Sequence, residues 1–242
     1  MNLCYMGGIM TIEQLKNNYE EVLNKVEAAC IKASRDKNDV TVIAVSKTKP
    51  LSMVEDAISA GMTHFGENKP QEIRDKTKEV SKDVHWHMIG KLQSNKIKYV
   101  IETCELIHSV DSIKLAKRIN SEAIKRQCHV NILIQVNITG EESKSGFSIA
   151  ELYDSLEFFS KLEHVHVQGL MTIPPFVDNP EDNRLTFRQL NEVFVDIKSK
   201  NIDNITMSAL SMGMTVDYEV AVEEGATYIR VGTGIFGERN YK

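Results

Sequence analysis

Four cysteines in 242 residues, at positions 4, 30, 104 and 128, are too scattered for a disulfide framework or a Cys-x-x-Cys metal site. Reduced thiols follow, and with them an expected cytoplasmic location. Long apolar runs are lacking too: no stretch approaches the roughly 18 consecutive apolar residues that a membrane-spanning helix needs. Positive charge is not in excess, because 29 basic residues face 34 acidic ones for a formal net charge of -5. That balance gives nucleic acid no long-range attraction, so an anionic ligand must be held by local groups. Met1 to Met10 has no basic segment followed by an apolar one and does not read as a secretory leader. The Asn137-Ile138-Thr139 sequon therefore carries no weight. Of only five prolines, three fall between 174 and 180, so no Pro-rich linker divides the chain.

From Thr11 to about Ser34, apolar residues recur at three- and four-residue steps (Ile12, Leu15, Tyr19, Val22, Val26, Ala29), which predicts an amphipathic helix. Thr11 stands at its N-cap, Gln14 at the capping-box position, and Met10 where it can staple onto Leu15. Eight β-branched or aromatic runs follow: 40–47, 63–67, 85–90, 106–110, 130–137, 165–172, 205–211 and 228–232. Helix-like stretches at 51–60, 113–126, 149–162 and 184–200 supply the crossovers that parallel strands require. Eight units and one extra N-terminal helix favour a single-domain (β/α)₈ barrel over an open doubly wound sheet. Residues 1–10 read as an extension, 11–242 as the barrel, and 174–183 as a long surface loop with the character of a lid. The chemistry of such a barrel is expected at the carboxyl ends of its strands.

The first run ends in Ser46-Lys47, and alternation turns Lys47 to the side of Val45 and Ile43, into the barrel. Position alone leaves two readings, a snorkelling lysine and a desolvated amine able to attack a carbonyl. Lys49 shares the parity but adjoins Pro50, outside the strand. Gly232 to Gly237 spells G-x-G-x-x-G after a strand, yet only five residues follow, too few to complete a dinucleotide-binding unit. What remains is a glycine turn whose amides and Thr233 hydroxyl can cradle a phosphate, beside a seventh-strand end that offers Ser211; a pair of plain tight turns is the alternative. His85 and His87 face one way on a strand, but Cys or acidic partners at ligand spacing are lacking, and the pair reads as barrel structure. Lys91, Lys96 and Lys98 read as a solvated helix face.

The segments Ala44-Val45-Ser46-Lys47-Thr48-Lys49-Pro50, Phe65-Gly66-Glu67-Asn68, residues 86–96 (WHMIGKLQSNK), Ser143-Lys144-Ser145-Gly146, Gly169-Leu170-Met171-Thr172, Leu210-Ser211-Met212-Gly213-Met214 and Arg230-Val231-Gly232-Thr233 together closely resemble the pyridoxal 5'-phosphate (PLP) homeostasis protein family, the YggS-like or PROSC-like proteins. The resemblance runs from Val40 to Gly237. It implies the barrel of the alanine racemase N-terminal domain (PLP fold type III), with Lys47 holding PLP as a Schiff base. It assigns Ser211, Gly232 and Thr233 to the phosphate, Arg230 to the pyridine nitrogen, and Asn68 to the cofactor's vicinity. The function implied is buffering PLP and delivering it to apo PLP-dependent enzymes, as a monomer or weak dimer; an amino-acid racemase or lyase is the alternative. An Arg230 guanidinium can only donate, which keeps the ring nitrogen unprotonated and the ring a weak electron sink. The chain's stop at Lys242, without the second domain that completes alanine racemase, likewise points to a carrier, not an enzyme. Two departures from the family pattern, Lys69-Pro70 after Asn68 and Gly234 in place of alanine, bear on the shape of the second loop.

Overall fold

The computed structural model describes residues 10–80, 83–141 and 144–238. The expected extension, apart from Met10, and Ser143 lie outside them. Helix α1 (Ile12–Lys32) starts as its sequence predicts: Gln14 N donates to Thr11 Oγ1 at 3.2 Å, and Thr11 N donates to Gln14 Oε1 at 2.9 Å. Removing the cap hydroxyl with Thr11→Ala should cost about 1 kcal/mol, read as a lower midpoint in urea. An unchanged midpoint would deny the box any part in stability.

Eight parallel strands close a barrel in sequence order: β1 (Thr41–Val45), β2 (His64–Glu67), β3 (His85–Met88), β4 (Cys104–Val110), β5 (Val130–Gln135), β6 (Val165–Met171), β7 (Ile205–Met214) and β8 (Tyr228–Val231). Closure is made by β1 against β8, where Ile43 pairs with Arg230. The crossovers are α2 (Leu51–Ser59), α3 (Pro70–Lys76), α4 (Ile113–Arg126), α5 (Ile149–Ser160), α6 (Arg184–Ser199) and α7 (Tyr218–Glu223), with α8 (Thr233–Phe236) after the last strand. Between β3 and β4 the crossover is a 3₁₀ segment, Ser94–Tyr99, so the lysines read as a helix face lie on a tighter turn and the loop before it. The Lys69-Pro70 departure has a local use, since Pro70 occupies the first position of α3, where a missing N–H costs nothing.

The apolar alternation fills the layer between strands and helices: Phe65, Trp86, Met88, Ile107, Ile132 and Val167 are all buried there. The interior is different. Leu106, Leu133, Met171 and Ala209 form a small apolar group inside, beside buried His87, His108, Ser211 and Arg230. Close strand contact at one point needs glycine: a Cβ on Gly169 would lie 1.7 Å from the Ala209 carbonyl oxygen.

The stretch expected as a lid is partly structured. Pro180–Asn183 forms a 3₁₀ turn leading into α6, and buried Asn183 donates to the Pro175 carbonyl at 3.1 Å and to Asp217 Oδ2 at 2.8 Å. Asp217 Oδ1 accepts from Met214 N at 2.7 Å. One carboxylate thus ties this loop to the end of β7.

Candidate functional site

At the carboxyl ends of the strands lies a cavity of about 480 Å³, within the range of about 300–1,000 Å³ usual for small-molecule sites. Lys47, Asn68, Arg230 and Gly232 line it, as the sequence leads one to expect. Val45, Ile89, Val136 and Ile173 give it apolar walls. Lys49 is not among the lining residues; its ammonium donates to the Phe236 carbonyl at 3.0 Å, so position and partner separate the two lysines.

A buried polar group stands behind Lys47. Ser46 points to the opposite side of β1, where its hydroxyl donates to Glu67 Oε1 at 2.6 Å. Lys76 of α3 donates to the same oxygen at 2.6 Å and to the Ser46 carbonyl at 3.0 Å. The backbone immediately before Lys47 is therefore clamped from the helix layer. Burial pushes the Glu67 carboxyl up to about 7 against the pull of Lys76 and Ser46, and its second oxygen has no hydrogen-bond partner among the described residues.

The floor of the cavity is Arg230, 4% exposed. Its guanidinium donates to the Thr172 carbonyl at 2.8 Å and to Ser211 Oγ at 2.5 Å. Ser211, expected at the phosphate, does not line the cavity. It is fully buried below Arg230, because alternation along β7 turns it inward, and it also meets His108 Nδ1 at 2.9 Å. From there a file of imidazoles runs down the barrel: His108 Nε2 to His87 Nδ1 at 3.0 Å, and His87 Nε2 to His64 Nδ1 at 3.0 Å. Burial holds His87 down to about 3 and His108 well below the ordinary histidine value, so both are neutral near pH 7. Burial also draws Arg230 down to about 10, which leaves it charged.

The hydroxyl the sequence reading missed is Thr215, four residues beyond Ser211 on the loop after β7. It lines the cavity and accepts from Gly232 N at 3.2 Å, joining the two loops expected to hold a phosphate. Its motif was in view, but the choice of hydroxyl depended on which residue β7 releases into its loop. Exposed Thr233 begins α8, and the amides of Thr233 and Gly234 precede that helix's first internal hydrogen bond. A Cβ on Gly234 would sit 3.0 Å from Val231 Cγ1 and 3.3 Å from Thr215 Cγ2, tight but not prohibitive for the family's alanine. On the far wall Gln135, Lys91, Lys144 and Ser145 add polar groups, with Lys91 donating to Ser145 Oγ at 3.1 Å and Gln135 to the Ser145 carbonyl at 2.9 Å. Lys91 thus reaches the rim of the cavity while its side chain stays 73% exposed.

The site has a cationic floor, a lysine amine at one wall and a hydroxyl-and-amide turn at another, a donor set suited to a small ligand bearing a phosphate. Comparison with known proteins agrees. The family model described as "Alanine racemase, N-terminal domain" matches residues 12–240. The pyridoxal phosphate homeostasis protein of Aquifex aeolicus is 42% identical over 221 residues, covering 91% of this chain and 96% of that one. A structure described as an unknown protein from Bifidobacterium adolescentis superposes with a TM-score of 0.88 at 35% identity, covering 93% of this chain and 95% of that one. PipY of Synechococcus elongatus, solved with PLP bound, gives a TM-score of 0.78 at 36% identity, covering 88% of this chain and 100% of that one. With a family model spanning nearly all of it and relatives this similar over nearly their full length, the chain belongs to the pyridoxal phosphate homeostasis protein family, built on the alanine racemase N-terminal barrel.

Proposed function

We propose that this chain binds PLP in the cavity through a Schiff base at Lys47 and keeps the cofactor available to apo-enzymes without fast chemistry of its own. The cofactor supplies an aldehyde, which condenses with a primary amine and releases water. Everything else is done by the chain. Lys47 offers the amine, with Ser46, Glu67 and Lys76 fixing its backbone. Thr215 and Gly232 flank the position for the phosphate, with exposed Thr233 next to them at the start of α8, and Asn68 closes the side by β2.

The observation that carries the carrier reading is Arg230. It is a buried, permanently donating group at the floor of the cavity, oriented by Ser211 and the Thr172 carbonyl. Against a pyridine nitrogen it can donate but cannot leave a proton, and an unprotonated ring is a poor electron sink. Holo-protein incubated with amino acids in deuterated water should therefore show negligible Cα proton exchange, and PLP should pass to an apo-enzyme faster than into a chemical trap. Exchange at about 1 per second or more, ordinary for enzymes, would establish a racemase or lyase instead.

The phosphate assignment has its own test. Thr215→Val should weaken PLP about tenfold, the equivalent of about 1.4 kcal/mol for one hydrogen bond to a charged group. Binding of pyridoxal, which lacks the phosphate, should not change. Equal losses for both ligands would remove Thr215 from the phosphate site.

A further inference from the structure

The amino-terminal face of the barrel, opposite the cavity, brings together three residues that the sequence keeps 21 and 20 positions apart: His64 at the start of β2, His85 at the start of β3 and Glu105 in β4. His64 pairs directly with His85 in the strand register. One ligand atom from each of the three lies within 4.8 Å of the others. The expectation that His85 has no acidic partner fails because its partners come from neighbouring strands and not from its own.

We propose that His64, His85 and Glu105 bind a divalent transition-metal ion of the zinc class. Two imidazoles and one carboxylate form a recognised three-residue zinc ligand set, with a further position left to water. Donors sharing one zinc at about 2.1 Å can be no more than about 4.2 Å apart, so the triad must close slightly. His85 Nδ1 and Glu105 Oε2 already touch, so an ion would take the place of that contact, with its proton released to solvent, and side chains 50% and 36% exposed are free to part for it while the wider separation to His64 closes. His64 is held more firmly. Its Nδ1 engages buried His87, leaving Nε2 as the ligand atom, and that support behind a metal-binding imidazole is the usual outer-shell arrangement.

The barrel's other histidine group lacks these features. His129 Nδ1 and His166 Nε2 bond each other, His166 Nδ1 is taken by Asn204, and His164 Nδ1 by the Cys128 carbonyl. No carboxylate joins them in a ligand cluster among the described residues.

The file of imidazoles also reports on the ion. Ser211 Oγ accepts from Arg230, and the arrangement that uses its own proton sends it to His108 Nδ1, so that His108 and His87 each carry theirs on Nε2. An ion on His64 Nε2 requires the His64 proton on Nδ1, where it donates to His87 Nε2. Each following ring must then shift its proton from Nε2 to Nδ1.

The test is titration of full-length, untagged protein with Zn²⁺ alone against a chromophoric chelator. One ion per chain with micromolar or tighter affinity is expected, weakened at least tenfold by His85→Ala and by Glu105→Ala and unaffected by His129→Ala. Both substituted positions are substantially exposed, and unchanged melting without zinc will show that the variants fold. Zinc should raise the melting temperature of the wild type but not of the His85→Ala, Glu105→Ala double variant, and ¹⁵N spectra should show His87 and His108 protonated on Nδ1 only when zinc is present. Absence of micromolar binding, binding untouched by both substitutions, or zinc binding with unshifted His87 tautomers would overturn the proposal.

Discussion

Lys47→Ala is expected to abolish both the visible absorption of the PLP-loaded protein and the pyridoxyl label that borohydride fixes to it, reducing labelling from about one group per chain to background. Lys49→Ala should keep both. The two lysines share a strand parity and lie two residues apart, so sequence alone separates them only by the adjoining Pro50. The structure adds two distinctions: Lys47 lines the cavity, whereas the Lys49 ammonium is directed at the Phe236 carbonyl outside it. An amine that must attack a bound aldehyde has to reach the cavity that holds the phosphate, and of the two only Lys47 does. Peptide mapping after reduction decides the matter, because a label on Lys49 in the wild-type protein would overturn the assignment. Noncovalent binding through Thr215, Gly232 and Arg230 should survive in Lys47→Ala, weakened but saturable.

Much of this was legible in the sequence. All eight strands, the N-terminal capping box and the long crossover helices follow from alternation, periodicity and capping residues, each read within one segment of chain. Of the residues that line the cavity, Lys47 and Gly232 were singled out from a strand end and a glycine turn, and Asn68 and Arg230 from the family resemblance. The errors share a physical cause. Ser211 was assigned to the phosphate although β7 continues to Met214, three residues past its predicted end, so that Ser211 stays inside the barrel and Thr215 reaches the mouth. His64, His85 and Glu105, and likewise the imidazole file, meet only across neighbouring strands. Their proximity depends on register and bulges, as at the shift between Trp86 and His87 where β3 meets β4, and no single segment encodes that.

The other large effect lies outside the cavity. Lys76→Met should destabilise the protein by an amount that grows as pH rises above 7, because it strips a buried carboxylate of its partner. Glu67 is fully buried, and Lys76 is the cation that donates to it. The effect should depend on pH with a definite sign. An unfolded chain releases the Glu67 proton near 4.5, whereas the folded protein holds it to about 7. This group's contribution to stability is therefore complete below 4.5 and is lost as pH rises through 7, a change of roughly 3 kcal/mol. Without Lys76 the folded protein keeps the proton to still higher pH, so Lys76→Met should cost up to about 1.4 kcal/mol more at pH 8 than at pH 5, the worth of one pH unit beyond the wild-type titration at about 7. Glu67→Gln should remove that pH dependence, and the Glu67→Gln, Lys76→Met double variant should recover much of the stability lost at pH 8, since no unpaired charge remains. Chemical denaturation of the four proteins at pH 5 and 8 measures all of this, and an equal loss for Lys76→Met at both values would show that packing, not charge, is what Lys76 supplies. The double variant also separates stability from function. Its loss of the Lys76 bond to the Ser46 carbonyl leaves the backbone before Lys47 unclamped, so a recovered fold should still label more slowly with PLP, because a less constrained amine meets the aldehyde in the right geometry less often.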